Sequence, residues 1–166
     1  AVVARRPHPP RLLGGRAWRA KQRGAGEPTK ESGWLRPARY YRKLDKRIVQ
    51  CLLCPRQCQV EQGRRGHCEV RENRGGEYYT LVYGRAASVN VDPIEKKPLF
   101  HVLPGSPIFS FATAGCNLAC KNCQNWELSQ SRPEQVPVVD LPPVKLVEAA
   151  QKQGCTLIAG TYSEPA

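Results

Sequence analysis

Seven of the eight cysteines in the chain fall into two tight groups, and thiols at such spacings bind metals. In "GCNLACKNCQN", Cys116, Cys120 and Cys123 have the spacing C-x₃-C-x₂-C. Three thiolates can hold one face of a four-iron, four-sulfur (4Fe-4S) cluster and leave one iron open for a substrate, as an open zinc position does in catalytic zinc sites. A zinc site with these three cysteines, completed by a distant histidine or by Cys155, is the alternative.

The second group has the spacing C-x₂-C-x₃-C-x₉-C and consists of Cys51, Cys54, Cys58 and Cys68. Four thiolates close a tetrahedral shell, which is typical of structural zinc in a segment too small to fold alone. A second iron–sulfur cluster that relays electrons is the alternative. Neither centre has an open position, so we expect no catalysis at this group.

The elements around the first group predict a β-α-β unit. "PIFSFATAG" is a buried strand directly before the cysteine loop, "LPPVKLVEAAQKQ" is a helix with prolines in its first turn, and "CTLIAGTY" is the next strand. This order requires parallel pairing and implies an α/β sheet or barrel, with the chemistry at the carboxyl ends of the strands. Both "GCNLACKNCQN" and "TYSEP" fall at such ends. The apolar side of the helix is predicted to contain Val144, Leu146, Val147 and Ala150.

Upstream of this unit the pattern is more irregular. Residues 36–47 predict a short helix, and "EYYTLVYG" and "RAASVNV" predict the two strands of a hairpin. "DPIEKKPLFHVLPGS" predicts an ordered loop pinned by prolines.

Within that loop, Leu99 and Phe100 are expected to be buried anchors. Lys96, Lys97 and His101 could contact a substrate or cofactor, but we favour a structural role for the whole segment.

Taken together, the motifs resemble those of radical S-adenosylmethionine (SAM) enzymes. The strings "CLLCPRQC", "DPIEKKPLFH", "GCNLACKNCQN" and "TYSEP" are most similar to the radical SAM protein of the AmmeMemoRadiSam system, a group similar to the pyruvate formate-lyase activating enzymes. The resemblance covers residues 38–166, roughly the N-terminal half of a full-length member. It implies the start of a partial TIM-type barrel preceded by a small cysteine-rich metal-binding module with a β-hairpin.

The resemblance also implies a chemistry and its partners. SAM would chelate the open iron, and one electron from a donor such as flavodoxin or ferredoxin would cleave SAM to a 5′-deoxyadenosyl radical. That radical would abstract hydrogen from an unknown substrate, which could be a protein. Glu164 would hold the SAM ammonium group, although Tyr162 and Ser163 replace the usual glycines. Asn122 stands near the adenine, where members usually have an aromatic residue.

The net charge of +12 is concentrated at one end of the chain. Residues 1–47 contain 14 Lys and Arg against three Asp and Glu, whereas the rest is nearly neutral. We therefore predict a disordered basic tail over 1–37 in preference to a nucleic-acid-binding arm. The rest of the chain is predicted to have two parts. Residues 38–105 form a Cys₄ module with a hairpin and the "DPIEKKPLFH" loop, and residues 106–166 form the first β-α-β unit of the barrel.

The sequence thus predicts a cytoplasmic radical SAM enzyme with no membrane segment, and it does not favour a nucleic-acid partner. The chain looks like a piece of a longer protein, so it could be inactive and poorly soluble by itself. Two other functions remain open. One is activation of a glycyl-radical partner enzyme, and the other is a zinc-binding nucleic-acid module without enzymatic activity.

Overall fold

The computed structural model describes residues 34–163, so most of the predicted tail and Glu164 lie outside the described part. The fold is mixed α/β and consists mainly of short strands. The strands are β1 (Arg36–Pro37), β2 (Tyr41–Lys43), β3 (Val49–Cys51), β4 (Gln59–Val60), β5 (Arg71–Arg74), β6 (Glu77–Thr80), β7 (Arg85–Ala86), β8 (Ser88–Pro93), β9 (Pro107–Ala112), β10 (Val139–Asp140) and β11 (Leu157–Gly160). The helices are α1 (Trp126–Ser129) and α2 (Pro143–Lys152).

Two small antiparallel sheets form the N-terminal part of the described region, with strand orders β2-β3-β4 and β1-β6-β5. They share one core, because the β3 and β4 side chains pack against the ring of Tyr78 from β6. Val49 and Val60 face each other in register and are both buried. Cys51 belongs to the same core, so a predicted metal ligand is also a packing residue.

The helix predicted over 36–47 is wrong. Tyr41–Lys43 pairs with Val49–Cys51 instead, and Tyr40 and Lys46 have positive φ angles of 57° and 56°, which a helix does not allow. A hairpin across this segment lets Tyr41 pack on the buried core, and that tertiary contact outweighs the local helix propensity.

The hairpin predicted between "EYYTLVYG" and "RAASVNV" is also wrong, although both segments do form strands. Glu77–Thr80 pairs with the preceding Arg71–Arg74, because Gly75 and Gly76 adopt φ angles of +67° and +94° and make a tight two-residue turn. The Asn73 side chain accepts a hydrogen bond from the Gly76 N–H at 2.9 Å and fixes that turn.

The predicted β-α-β unit is confirmed. β9 and β11 pair in parallel, with Ile108 opposite Leu157 and Phe111 opposite Gly160, and α2 makes the connection. On its other edge, β9 pairs in antiparallel fashion with β8, which gives a sheet of order β11-β9-β8. Residues 34–163 contain no closed barrel.

Helix α2 covers one face of this sheet, but its contact side is narrower than predicted. Leu146, Ala149 and Ala150, spaced i, i+3 and i+4, pack with Phe109 and Cys155. Val144 and Val147 are exposed, because the sheet meets the helix on the side of the two alanines.

The segment after β8 begins with a 3₁₀ turn at Ile94–Lys96 and is otherwise loop, as predicted. Ile94 is buried and anchors this loop. The prediction that Leu99 and Phe100 are anchors is wrong, since both are exposed. No helix in the described residues is long and apolar enough to cross a membrane.

Gly115, just before the first cysteine of the loop, touches the cysteine-rich segment. It has a φ angle of +80°, and a Cβ at this position would overlap the Cys68 carbonyl oxygen and Val70 Cγ1. The Arg56 side chain also donates a hydrogen bond to the Asn117 carbonyl oxygen. The two cysteine groups are therefore parts of one packed structure, joined where only glycine fits.

This close approach predicts that Gly115→Ala lowers the free energy of unfolding by about 2–4 kcal/mol, from steric overlap and the left-handed backbone together. Gly105→Ala is the matched control, because Gly105 also has a positive φ of +76° but nothing lies within 4 Å of its Cβ position. It should cost only about 1–2 kcal/mol. Urea unfolding of the two variants measures the difference, and equal losses would contradict the close contact at Gly115.

Candidate functional site

The cysteine loop and the segment after β11 lie at the same edge of the sheet. The loop begins after Ala112 at the end of β9, and β11 ends at Gly160, opposite Phe111. The Thr161 N–H donates to the Phe111 carbonyl oxygen at 2.9 Å and holds the start of "TYSEP" against the central strand. The predicted placement at the carboxyl ends of parallel strands is confirmed as far as Ser163.

The three thiols of the loop differ in exposure. Cys116 and Cys123 are half-buried, and Cys120 is exposed, as is Asn122. Cys116 Sγ accepts a hydrogen bond from the Leu118 N–H at 3.4 Å, and Cys123 Sγ lies 3.2 Å from Ser129 Oγ in α1.

Within residues 34–163, no three His, Cys, Asp or Glu side chains are grouped as metal ligands. The loop cysteines nevertheless have the donor chemistry for an iron–sulfur centre, because they are thiols within eight residues of one another on a partly exposed loop. Cys155 packs beneath α2 at the start of β11, away from the loop end of the strand, so it is not placed to complete their site.

The second cysteine group converges on the Tyr78 ring. Cys51 and Cys58 pack in its core cluster, and a Cβ at Gly66 would lie 3.9 Å from Cys58 Sγ and 2.9 Å from the Tyr78 hydroxyl. Burial raises the pKa of Cys68, the Val70 backbone hydrogen bond and the charge of Arg71 oppose this, and the neighbouring Cys51 and Cys58 add smaller upward effects. Cys51 and Cys58 are thus neighbours in one cluster and Cys68 interacts electrostatically with both, although in residues 34–163 the three are not grouped as the ligands of one ion.

Cys54, the fourth, is half-buried in the turn that follows β3, where its carbonyl oxygen accepts from the Gln57 N–H at 3.2 Å.

Two polar side chains reach this thiol group from the β5-β6 hairpin. Arg71 Nη1 lies 3.8 Å from Cys51 Sγ, and the Tyr78 hydroxyl is buried without a hydrogen-bond partner among the described residues. A cation and an O–H donor without an acceptor stabilise negatively charged thiolates more than they stabilise neutral thiols. The residues therefore fit a negatively charged Cys-ligated centre, either of zinc or of iron and sulfide.

Asp92 lies at the centre of a buried charge network, and the sequence alone had indicated no role for it. This buried carboxylate in β8 accepts from Lys96 Nζ at 2.9 Å, from Lys97 Nζ at 2.8 Å and from the Tyr162 hydroxyl at 2.6 Å. Lys97 Nζ also lies 4.8 Å from the centroid of the Tyr162 ring. The "DPIEKKPLFH" and "TYSEP" motifs are thus in direct contact.

The network controls the charge of Asp92. Burial alone raises the pKa of this carboxyl group, but the hydrogen bonds from Lys97, Tyr162 and Lys96 outweigh burial and hold the pKa well below its usual range. Asp92 is therefore ionised throughout the physiological pH range. The signal in the sequence was an acid followed four and five residues later by two lysines, but nothing there showed that Tyr162 joins them.

Comparison with known proteins finds a relative that aligns with most of this chain. The chain is 45% identical over 131 residues to the uncharacterized protein MJ0808 of Methanocaldococcus jannaschii, an alignment that covers 79% of this chain. The chain spans 39% of the length of that relative. No family model matches the chain, and no solved structure matches it.

The unpartnered Tyr78 hydroxyl gives the first prediction for the site. In chelator, Tyr78→Phe should raise the free energy of unfolding by about 1 kcal/mol, because it removes a buried donor without an acceptor. With Zn²⁺ added, this gain should disappear, since the hydroxyl then has a thiolate to bond. Tyr79→Phe, one residue along β6, is the control and should not respond to zinc. A Tyr78→Phe gain that is equal with and without Zn²⁺ would contradict the predicted contact.

The second prediction concerns Asp92. Asp92→Asn removes the counter-charge of Lys97, whose side chain is only 12% exposed, and should lower the free energy of unfolding by roughly 2–4 kcal/mol at pH 7. The folded-state pKa is depressed, and the unfolded value is about 3.9. The wild-type advantage should therefore be complete above about pH 5 and shrink as the pH falls below about 4.

Urea unfolding at several pH values measures this effect. Asp140→Asn is the matched control, because Asp140 also pairs with a lysine but is 56% exposed, and it should cost less than about 1 kcal/mol. A loss for Asp92→Asn that stays constant down to pH 3 would show that the charge of Asp92 is not what stabilises the fold.

Proposed function

We propose that the chain is the N-terminal part of a radical SAM enzyme, in which Cys116, Cys120 and Cys123 ligate a 4Fe-4S cluster. The observation that carries the proposal is the position of this C-x₃-C-x₂-C loop. It follows β9 directly, at the carboxyl edge of a β-α-β unit, and the next parallel strand brings residues 161–163, the start of "TYSEP", to the same edge. A partial TIM-type barrel, completed by sequence beyond this part, is the fold we propose for the whole protein.

The roles of the residues follow from that assignment. When bound, a cluster here would supply the electron for reductive cleavage of SAM. Cys116, Cys120 and Cys123 would hold the cluster, and Glu164 would hold the SAM ammonium group. Asn122 lies in the loop beside the third ligand and contributes an exposed amide near the adenine.

The second group completes the proposal. Cys51, Cys58 and Cys68, with Cys54 as the fourth ligand, hold structural zinc or a second cluster beside Arg71 and Tyr78. An electron donor such as flavodoxin or ferredoxin reduces the enzyme. The substrate stays unassigned, because the remaining strands of the barrel would supply most of its pocket.

The decisive test is anaerobic reconstitution with iron and sulfide, followed by iron analysis and electron paramagnetic resonance of the reduced protein. We expect a four-iron signal that shifts when SAM is added. Cys120→Ala should abolish that signal and the cleavage of SAM to 5′-deoxyadenosine. Cys155→Ala is the matched control, because Cys155 is buried beneath α2 and lies outside both groups. Full SAM cleavage by the Cys120→Ala variant would refute the assignment.

A further inference from the structure

A cavity of about 320 Å³ opens beside the cysteine loop. Its volume is within the range of sites that bind small molecules, about 300–1,000 Å³. It is lined by Ser88, Asn90 and Lys96 from β8 and the following turn, by Gln124 and Trp126 after the third loop cysteine, and by Tyr162 after β11.

The β8 wall of the cavity is polar because of strand periodicity. Ser88, Asn90 and Asp92 alternate with Val89 and Val91, which pack towards α2 on the other face. The three polar side chains form a connected chain of hydrogen bonds. Asn90 Nδ2 lies 3.1 Å from Ser88 Oγ and 3.3 Å from the Tyr162 hydroxyl, which in turn donates to Asp92. These groups are held in place before any ligand binds.

Two lysines share a single carboxylate on the β8 side of the cavity. One carboxylate, Asp92, faces the ammonium groups of both Lys96 and Lys97, and no second ion-pair partner is found for either lysine within residues 34–163. The side chain of Lys97 is 12% exposed and is committed to Asp92, whereas that of Lys96 is 59% exposed and lines the cavity. An ammonium group has three donors, and Lys96 uses one of them on Asp92.

We propose that this cavity binds an anionic small molecule, with a carboxylate or phosphate group of the ligand held by Lys96. The ligand anion supplies the second negative charge that the two lysines lack, and the exposed Trp126 at the wall offers an apolar surface to the rest of the molecule. Glu127 is an exposed acid on the same cavity, and it disfavours ligands of higher negative charge. If the chain is a radical SAM enzyme, its substrate or cofactor presents such an anion here.

The test uses metal-free protein, so it does not depend on cluster assembly. Malonate and inorganic phosphate are titrated separately at low ionic strength, with binding followed by calorimetry or NMR. We expect at least one probe to bind wild type, and Lys96→Gln to weaken that binding about 10-fold or more, as expected for loss of a charged hydrogen-bond donor. Glu127→Gln should strengthen it, because a like charge is removed.

Lys145→Gln is the matched control. Lys145 is 57% exposed and pairs with Asp140 at 2.7 Å, which resembles the Lys96–Asp92 pair in exposure and distance, but it does not line the cavity. It should leave the affinity unchanged, and melting curves should show that both lysine variants are folded. Equal affinities of Lys96→Gln and Lys145→Gln, or no binding of either probe to wild type, would overturn the proposal.

A competition experiment then identifies the source of the anion. SAM that displaces the bound probe from wild type, and that itself binds less tightly to Lys96→Gln, would assign the anionic group to SAM. Binding of SAM and the probe together would assign it to a separate substrate. Both results support an anion site at Lys96, whereas a failure of iron reconstitution would affect only the proposed radical chemistry.

Discussion

The candidate site depends on one constraint, namely that β9 is paired on both of its edges. β11 runs parallel to it, so the carboxyl ends of both strands meet, and β8 runs antiparallel, so the start of β8 meets the same edge. Three segments that are distant in sequence are thereby brought around one end of the sheet. The cysteine loop, the "TYSEP" segment and the cavity all follow from this arrangement.

The two faces of that sheet have opposite chemistry, and the difference explains the Asp92 network. On one face, Phe109, Val89 and Val91 are covered by α2 and need no partners. On the other face, a carboxylate is buried at Asp92, and a buried charge without partners would cost several kcal/mol. Two lysines in the next turn and the Tyr162 hydroxyl supply those partners. The Tyr162 hydroxyl also links the loop after β11 to β8. The groups that compensate the charge of Asp92 therefore also form part of the cavity wall.

Whether the sequence predicts an element depends on how far apart in the chain the residues lie that determine its structure. The β9-α2-β11 unit was predictable because strand patterns, the prolines at the helix start and Gly154 are local signals. The segment 36–47 was not, because its strand state depends on pairing with Val49–Cys51 and on packing against Tyr78. The Tyr162–Asp92 bond joins residues 70 positions apart, and no periodicity indicates such a contact.

The cysteine-rich segment has candidate metal ligands that are also part of a hydrophobic core. Cys51 and Cys58 pack with Val49, Val60 and the Tyr78 ring, so their sulfur atoms contribute apolar contacts when protonated. Burial raises the pKa of Cys68 in spite of the nearby Arg71, so the Cys68 thiol stays protonated and suited to this core.

A metal ion would reverse this preference, because it displaces the thiol protons and replaces them with its own charge. Arg71 and the Tyr78 hydroxyl are then the groups that offset the negative charge of the thiolates. The same residues can therefore serve a packed metal-free state and a metal-bound state. Gly115 joins this segment to the loop of Cys116, because its backbone lies against the Cys68 carbonyl oxygen and Val70 and leaves no room for a side chain.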